Sequence, residues 1–278
     1  MSGPLSLGYS PCPNDTFIFY ALAHGLLPPG VSFAPPVLAD VETLNLWALQ
    51  GRLDVSKLSF HALGHVLDRY ALLASGAALG RGCGPLLVTR PGQTPDLARA
   101  HIAIPGAYTT AAMLLRLYAP RAGTLQVLRF DRIMDAVVQG EADCGVVIHE
   151  SRFTYQQRGL VCLRDLGEWW EAETGLPIPL GCIVARRTLP AATLREIEEA
   201  IRASLRWARA NPEAAMDYIR AHAQEMSGSV LQSHIGLYVN DSSLDIGDQG
   251  RAAVAELLRR GRVAGLFPAA ADEPWLRG

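Results

Sequence analysis

The sequence predicts an α/β protein built from two Rossmann-like lobes, with the second lobe inserted into the first. Three observations predict this fold. Each half of the chain opens with a strand, a loop and a helix, and each later repeats a helix, a glycine, an aspartate and a strand. Two similar strands bracket the second copy of this repeat. Hydrophobic residues make up 49% of the 278 residues and charged residues 19%, which is enough apolar material for a sizeable core.

The first repeated unit starts with the alternating strand Leu5–Tyr9, which runs through a Pro/Asn/Asp loop into a helix predicted over Thr16–His24. Its counterpart begins with the strand His101–Pro105. A Gly-Ala-Tyr turn and two threonines lead from that strand into a helix predicted over Ala111–Tyr118. A strand that leads into a helix in both halves is typical of a parallel sheet with crossover helices.

The second repeated unit recurs about ninety residues along the chain. Trp47–Val55 and Ala136–Cys144 each contain the end of an amphipathic helix, a glycine that stops it, an aspartate and the start of a strand. The strands themselves are predicted over Leu53–Leu58 and Cys144–Ile148. Because both units recur in the same order, each half is expected to form a sheet of its own.

Two similar strands predict where the chain passes between the lobes. Gly84–Arg90 lies between the halves, and Gly181–Arg186 follows the second half. If the chain crosses along these strands, residues 1–89 and 182–278 form a large discontinuous lobe, and residues 90–181 form a small inserted one. The C-terminal helices predicted to pack back on the large lobe are Leu194–Arg209, Asn211–His222, Val230–Tyr238 and Gly250–Arg260.

Charge and composition exclude several classes of partner. The formal net charge of −2 provides no basic surface for nucleic acid or anionic lipid, so neither a nucleic-acid nor a membrane partner is predicted. The segment Met1–Tyr9 has no Lys or Arg and no apolar run before a cleavage site, which indicates a cytoplasmic protein. The five cysteines include no C-x-x-C pair and are expected to be reduced. Cys144, Cys162 and Cys182 fall in apolar strand-like runs and are expected to be buried.

Candidate site residues lie at the carboxyl ends of the predicted strands, where open parallel sheets bind their ligands and where helices present their N-termini. In the first lobe these are Asn14 at the start of the first helix, and Lys57, Leu58 and Ser59 at the end of a strand. In the second lobe they are Thr109 and Thr110 at a helix start, and His149 at the end of a strand. With so little net charge, the chain must hold any anion through a few such local groups.

Lys57 is the only lysine of the chain. A sequence that otherwise uses arginine favours a lysine where a compact charge with rotatable donors is required, since the two residues are not interchangeable at a specific site. The alternative is a lysine that survives by chance in a surface turn. Its position at the end of an apolar strand, equivalent to the strand end that carries His149, favours the cleft.

Thr109 and Thr110 place hydroxyls beside the unpaired N–H groups of a helix start, a combination that holds a carboxylate without positive charge. The alternative for both is an ordinary N-cap. His149 ends an apolar strand, and its unperturbed pKa of about 6.5 suits a general base. The alternative is a structural histidine, the commoner role of a lone histidine.

Other motifs do not support a metal or a nucleotide cofactor. His61 and His65 stand four residues apart, but the sequence has no glutamate between them and no evident third ligand, so we expect no metal. The sequence contains no P-loop, no G-x-G-x-x-G after a strand and no G-x-S-x-G elbow. Nucleotide-binding, phosphate-binding and serine-hydrolase functions therefore lack support in the sequence.

Several longer motifs carry a specific resemblance. They are Gly8-Tyr-Ser-Pro-Cys-Pro-Asn-Asp-Thr-Phe17, Asp40-Val-Glu-Thr-Leu-Asn45, Lys57-Leu-Ser59, Tyr108-Thr-Thr110, Ile148-His-Glu-Ser-Arg-Phe-Thr-Tyr155, Thr174-Gly-Leu-Pro-Ile-Pro-Leu-Gly181 and Tyr238-Val-Asn240. Together they span nearly the whole chain, which resembles the 1,4-dihydroxy-6-naphthoate synthase family of the futalosine route to menaquinone. The resemblance implies the type 2 periplasmic-binding-protein fold, in agreement with the two lobes inferred from the repeat.

The resemblance also implies a reaction, in which cyclic dehypoxanthine futalosine is cleaved to 1,4-dihydroxy-6-naphthoate with release of dihydroxyacetone. It implies no cofactor and a small anionic substrate that carries a carboxylate. The catalytic base of the family matches His149. Its substrate-contacting segment matches Lys57 to Ser59, and its hydroxyl pair matches Thr109 and Thr110.

Two other functions share this fold. A solute-binding protein of a transporter would hold a ligand without transforming it, but it requires a signal or lipid anchor that the N-terminus does not show. Chorismate dehydratase, an enzyme of the same pathway, has the same fold and a related acidic substrate. The motifs quoted above fit it less well.

Overall fold

A computed structural model describes residues 3–28, 30–149, 151–223, 227–268 and 273–275. The described chain forms an α/β structure with two sheets. The strands are β1 (Leu7–Tyr9), β2 (Val37–Leu38), β3 (Val55–Ser59), β4 (Tyr70–Leu72), β5 (Ala78–Gly80), β6 (Leu86–Thr89), β7 (His101–Ile104), β8 (Thr124–Val127), β9 (Cys144–Val147), β10 (Val161–Asp165) and β11 (Ile178–Arg186).

The helices surround these sheets. Several of them lie near helices that the sequence predicts, whereas those at Phe60–His65, Ser151–Thr154, Leu166–Thr174 and Asp241–Leu244 are not predicted. They are α1 (Pro13–Ala23), α2 (Val41–Leu49), α3 (Phe60–His65), α4 (Thr110–Tyr118), α5 (Ile133–Gln139), α6 (Ser151–Thr154), α7 (Leu166–Thr174), α8 (Ala191–Ala210), α9 (Met216–His222), α10 (Gly228–Tyr238), α11 (Asp241–Leu244) and α12 (Gly247–Val263). Proline begins α1 at a position where its missing N–H costs nothing.

Both sheets are mixed, whereas the sequence pattern predicts parallel ones. The first has the order β2-β1-β3-β11-β4, with β5 also paired to β11, and the second has the order β10-β6-β9-β7-β8. Within each sheet the strands of the repeat are parallel, as in β1 with β3 and β7 with β9. The antiparallel members are β11 and β6, the strands that follow a passage between the sheets. The alternation of strands and helices therefore predicts the direction of the strands in the repeat correctly, but not the direction of β6 and β11.

The passages between the sheets lie several residues from the predicted boundaries. β6 belongs wholly to the second sheet and β11 wholly to the first, so the chain crosses in residues 81–85 and 166–177. The two passages run side by side. A Cβ placed on Gly84 would lie 2.3 Å from the Cα of Gly167, a contact that only glycine permits. The division into residues 1–89, 90–181 and 182–278 thus differs from the sheet membership by a few residues at each passage.

The core continues from one lobe into the other. Its largest cluster includes Leu58 and Cys182 of the first sheet together with Ile104 and Val146 of the second. A second cluster joins β1 and α1 to the apolar face of α8. The C-terminal helices therefore pack on the first lobe, and the two lobes share one apolar cluster.

The expectation that Cys162 is buried is wrong. It is exposed, whereas Cys144 and Cys182 are buried. β10 is an edge strand of the second sheet and β9 and β11 are interior strands, so an apolar run alone does not determine burial. Among the described helices, none has the length and apolar character needed to cross a membrane.

Candidate active site

A cavity that is partly open to solvent lies between the two lobes. Its wall is formed by strand ends and helix starts from both sheets, as expected for open α/β sheets. The predicted site residues that line it are Asn14, Lys57, Ser59, Thr109, Thr110 and His149. Leu58 lies between two of them in β3, but its side chain is fully buried in the core because successive side chains of a strand point to opposite faces.

Lys57 forms a buried ion pair with Asp15. The Nζ atom lies 2.8 Å from Asp15 Oδ1, and the two side chains are 5% and 1% exposed. Nζ also lies 3.4 Å from the carbonyl oxygen of Gly76. Since an ammonium group has three N–H donors, the contacts of the described residues leave one for a ligand. This position contradicts the surface-turn alternative.

Asp15, in the first turn of α1, is fully hydrogen-bonded. Its Oδ2 atom accepts a hydrogen bond of 2.6 Å from the Ser10 hydroxyl, and its Oδ1 atom accepts one of 2.8 Å from the Asn14 amide. Together with Lys57, these donors compensate a carboxylate that is almost inaccessible to water. The charge of Lys57 is therefore already balanced within the protein. Its remaining N–H would bind a ligand as a directed hydrogen-bond donor and would add no net positive charge to the cavity.

His234, which contacts the cavity residue Asn14 from the protein interior, is a residue that sequence reasoning missed. It lies on α10, is fully buried, and its Nε2 atom is 3.1 Å from the Oδ1 atom of Asn14. Burial lowers the pKa of His234 to about 3, so the ring is neutral and donates its Nε2 proton to Asn14. The only available signal was a polar residue on the buried face of an amphipathic helix, between Leu231 and Tyr238.

His149 follows β9 in a left-handed backbone conformation, with φ of 55°. Such a φ is uncommon for a residue other than glycine and is a form of local strain found at functional sites. The ring is held on several sides. Its Nδ1 atom lies 3.5 Å from the sulfur of Cys12, the Phe130 ring meets it edge-on at 5.2 Å, and the His234 ring is nearly parallel to it at 6.1 Å.

Burial lowers the pKa of His149 to about 4, while Asp15 raises it and Lys57 lowers it. The sequence-based expectation assumed an unperturbed value of about 6.5, which applies to a solvated imidazole. The physical reason for the difference is the loss of hydration of the imidazolium in the cleft. At neutral pH the ring is uncharged, and a nitrogen can accept a proton.

Thr109 and Thr110 use their hydroxyls within the protein. Thr109 is the N-cap of α4: its hydroxyl accepts from the Ala112 amide at 3.2 Å and donates to the Gly106 carbonyl oxygen at 2.9 Å. The ordinary N-cap interpretation is thus realised there. The Thr110 hydroxyl donates to the carbonyl oxygen of Leu180 at 2.6 Å and accepts from the Phe60 amide at 2.9 Å. Thr110 therefore ties the second lobe to the first.

Ser59 is oriented by Asn45, another residue without an assigned role in the sequence analysis. The Ser59 amide donates to Asn45 Oδ1 at 2.9 Å, and Asn45 Nδ2 donates to the Ser59 hydroxyl at 3.1 Å. Both residues are buried. With its acceptor role filled, the Ser59 hydroxyl can donate its own proton into the cavity.

The histidine pair considered as metal ligands lies on α3. The rings of His61 and His65 are 5.4 Å apart, and His61 Nδ1 lies 3.3 Å from the carbonyl oxygen of Thr109. Burial lowers the pKa of His61 to about 4. Within the described ranges no three His, Cys, Asp or Glu side chains are grouped as metal ligands.

A family model described as menaquinone biosynthesis matches residues 5–262. A protein of Thermus thermophilus named 1,4-dihydroxy-6-naphthoate synthase is 54% identical over 262 residues, covering 94% of this chain and 95% of its own. A protein of the same name from Streptomyces coelicolor is 50% identical over 270 residues, covering 95% of both chains.

Solved structures confirm the type 2 periplasmic-binding-protein-like fold. A crystal structure of an Archaeoglobus fulgidus protein has a TM-score of 0.90 and 33% identity, and the match covers 95% of this chain and 98% of that one. The periplasmic aliphatic sulphonate binding protein of Escherichia coli has a TM-score of 0.66 at 14% identity, with 100% of this chain and 95% of that chain covered. At that identity the second likeness concerns the fold alone.

Proposed function

The chain belongs to the menaquinone-biosynthesis family, and on that premise we propose that it is a 1,4-dihydroxy-6-naphthoate synthase, a cofactor-free carbon–carbon lyase. The proposed reaction converts cyclic dehypoxanthine futalosine to 1,4-dihydroxy-6-naphthoate and dihydroxyacetone. Because its relatives are biosynthetic enzymes, we also propose that it acts in the cytoplasm.

One observation supports the acid/base chemistry above all others. A neutral imidazole, that of His149, is aimed into the cleft by a strained backbone and lies among groups that orient it. A structural histidine does not require a left-handed backbone at the end of a strand. A general base requires a fixed direction toward the proton that it removes.

In the proposed mechanism, His149 accepts a proton from a hydroxyl of the sugar-derived fragment or from an acidic carbon. As the adjacent carbon–carbon bond breaks next to a carbonyl, its electron pair enters the ring that becomes aromatic. The dihydroxyacetone carbons leave with their oxygens, and the proton held by His149 is returned to the products, which regenerates the free base. Formation of the aromatic ring supplies the driving force, so the protein contributes the base, the positioning and the exclusion of water.

The carboxylate of the substrate is proposed to bind at Lys57 and Ser59, which line the same cavity. The remaining N–H of Lys57 and the hydroxyl of Ser59 are its donors, and the start of α4 at Thr109 and Thr110 adds the positive end of a helix dipole. Since the Lys57 charge is balanced by Asp15, these groups select a carboxylate by the positions and orientations of their hydrogen-bond donors and not by net charge.

The purified protein tests this proposal when it is incubated with cyclic dehypoxanthine futalosine and the products are followed by chromatography. We expect naphthoate and dihydroxyacetone in equal amounts, and naphthoate formation about 10²–10⁴-fold slower in a His149→Asn control. Binding without turnover would instead indicate a solute-binding protein. Dehydration of chorismate without naphthoate formation would indicate the sibling enzyme of the pathway.

A further inference from the structure

Glu42 lies on α2 of the first lobe, within a motif that the proposed mechanism does not use, and its carboxylate reaches the second lobe. The Tyr108 amide donates to Glu42 Oε1 at 3.0 Å and to Oε2 at 3.2 Å, and the Ala107 amide also donates to this carboxylate. These amides immediately precede Thr109, the N-cap of α4. A carboxylate that accepts several backbone N–H bonds before a helix start is a strong, charge-assisted contact.

Gly106 makes this approach possible. A Cβ atom placed on Gly106 would lie 2.4 Å from the Cδ atom of Glu42 and 2.5 Å from its Oε2 atom. Its backbone has no left-handed φ, so an alanine at this position would clash with the Glu42 carboxylate and displace it without straining the backbone. The turn before α4 is therefore shaped to receive Glu42.

The other side of the Glu42 carboxylate is connected to the substrate pocket. Asn45 Nδ2 donates to Glu42 Oε2 at 3.0 Å, and the same Asn45 side chain binds both the amide and the hydroxyl of Ser59. A single chain of hydrogen bonds thus runs from Ser59 in the first lobe to the start of α4 in the second. Two-lobed proteins close around a ligand by relative motion of their lobes, and this chain spans the gap.

We propose that Glu42 is a positioning residue that holds the cleft closed over the substrate by binding the amides of Ala107 and Tyr108. Because Glu42 occupies those amides, the substrate carboxylate is directed to Lys57 and Ser59. The inference rests on the proposed function for its kinetic test and for the ligand that is used to close the cleft in the scattering test, but not for the comparison of the ligand-free proteins.

A double-mutant cycle tests the contact. Glu42→Gln keeps the side-chain length but removes the charge, and Gly106→Ala displaces the carboxylate sterically. Each should raise KM about tenfold with a smaller change in kcat, since a hydrogen bond to a charged group contributes about this factor to an equilibrium. The double variant should be no worse than either single variant, because each has already opened the same contact. Independent effects would instead multiply to about 100-fold and overturn the proposal.

Matched controls separate this effect from a general loss of stability. Glu196→Gln changes an exposed glutamate on α8, and Gly228→Ala adds a Cβ in open space, so both should keep the wild-type KM. Glu42→Asp retains the charge and should recover part of the lost affinity. A lower thermal midpoint with an unchanged KM in both Glu42→Gln and Gly106→Ala would show a structural role only and would overturn the proposal.

Small-angle X-ray scattering provides a readout independent of turnover. The ligand-free wild-type protein should have a radius of gyration of roughly 19 Å, as for a compact chain of 278 residues. Ligand-free Glu42→Gln and Gly106→Ala should be measurably larger and should contract when saturated with 1,4-dihydroxy-6-naphthoate. Equal radii in wild type and both variants would overturn the proposed role of Glu42, whereas absence of naphthoate formation by wild type would overturn only the proposed function.

Discussion

Replacing His149 with asparagine tests the proposed base with the least disturbance of the fold. Asparagine is among the residues that best tolerate the left-handed backbone that His149 adopts. The substitution exchanges a ring for a smaller amide, so some contact with Cys12 and Phe130 is lost. We expect the variant to fold and to bind substrate.

The expected loss is in kcat, on the order of 10²–10⁴-fold, the usual contribution of a general base. The structure also specifies the pH dependence. With a pKa of about 4 in the free enzyme, His149 should produce an acid limb of kcat/KM near pH 4, with activity falling as the imidazole becomes protonated. An anionic substrate in the closed cleft raises the pKa of the base, so the acid limb of kcat should lie at a higher pH.

Stopped-time chromatography of the naphthoate gives kcat and KM at each pH, and a thermal melt of the same samples reports folding. The acid limb assigned to His149 should be absent from the residual activity of the variant. Near-normal turnover in a stable His149→Asn protein would refute the role of base. A large loss accompanied by early melting would point to packing as the role of the residue.

Three further perturbations follow from the buried polar groups. Lys57→Met should raise KM roughly 10- to 100-fold and lower the free energy of unfolding by about 3–5 kcal/mol, because it leaves a buried carboxylate uncompensated. Adding Asp15→Asn should restore stability in urea denaturation but not KM, and a single Lys57→Met protein with normal KM would contradict the binding role. Thr110→Val removes a hydroxyl with two partners across the lobes and should lower the free energy of unfolding by about 1–3 kcal/mol in the same assay. Burial lowers the pKa values of His61 and His234 to about 4 and about 3, so below pH 6.5 the unfolded chain binds more protons than the folded one. The free energy of unfolding should therefore fall as the pH decreases from 6.5 toward 4, by up to about 1.4 kcal/mol per pH unit for each histidine, and a flat urea profile over that range would contradict it.

Local patterns in the sequence determined much of the fold. The helix predicted over Leu194–Arg209 is observed as Ala191–Ala210, since its apolar spacing repeats over several turns and its burial follows directly. The repeated strand and helix units also placed His149 and Lys57 at equivalent strand ends, both of which line the cavity. Short-range periodicity and the geometry of parallel strands are sufficient for such inferences because neither depends on distant residues.

Only the tertiary structure decided how these residues are paired and charged. Cys12 and His149 are separated by 137 residues in the chain, and Asn14 and His234 by 220, yet each pair is in contact. Such contacts depend on which strands become neighbours and on how helices pack over them, and no local pattern encodes that arrangement. The same packing reduces the hydration of His149 and lowers its pKa to about 4, so the sequence predicted the proposed base while its surroundings set the pH at which it would act.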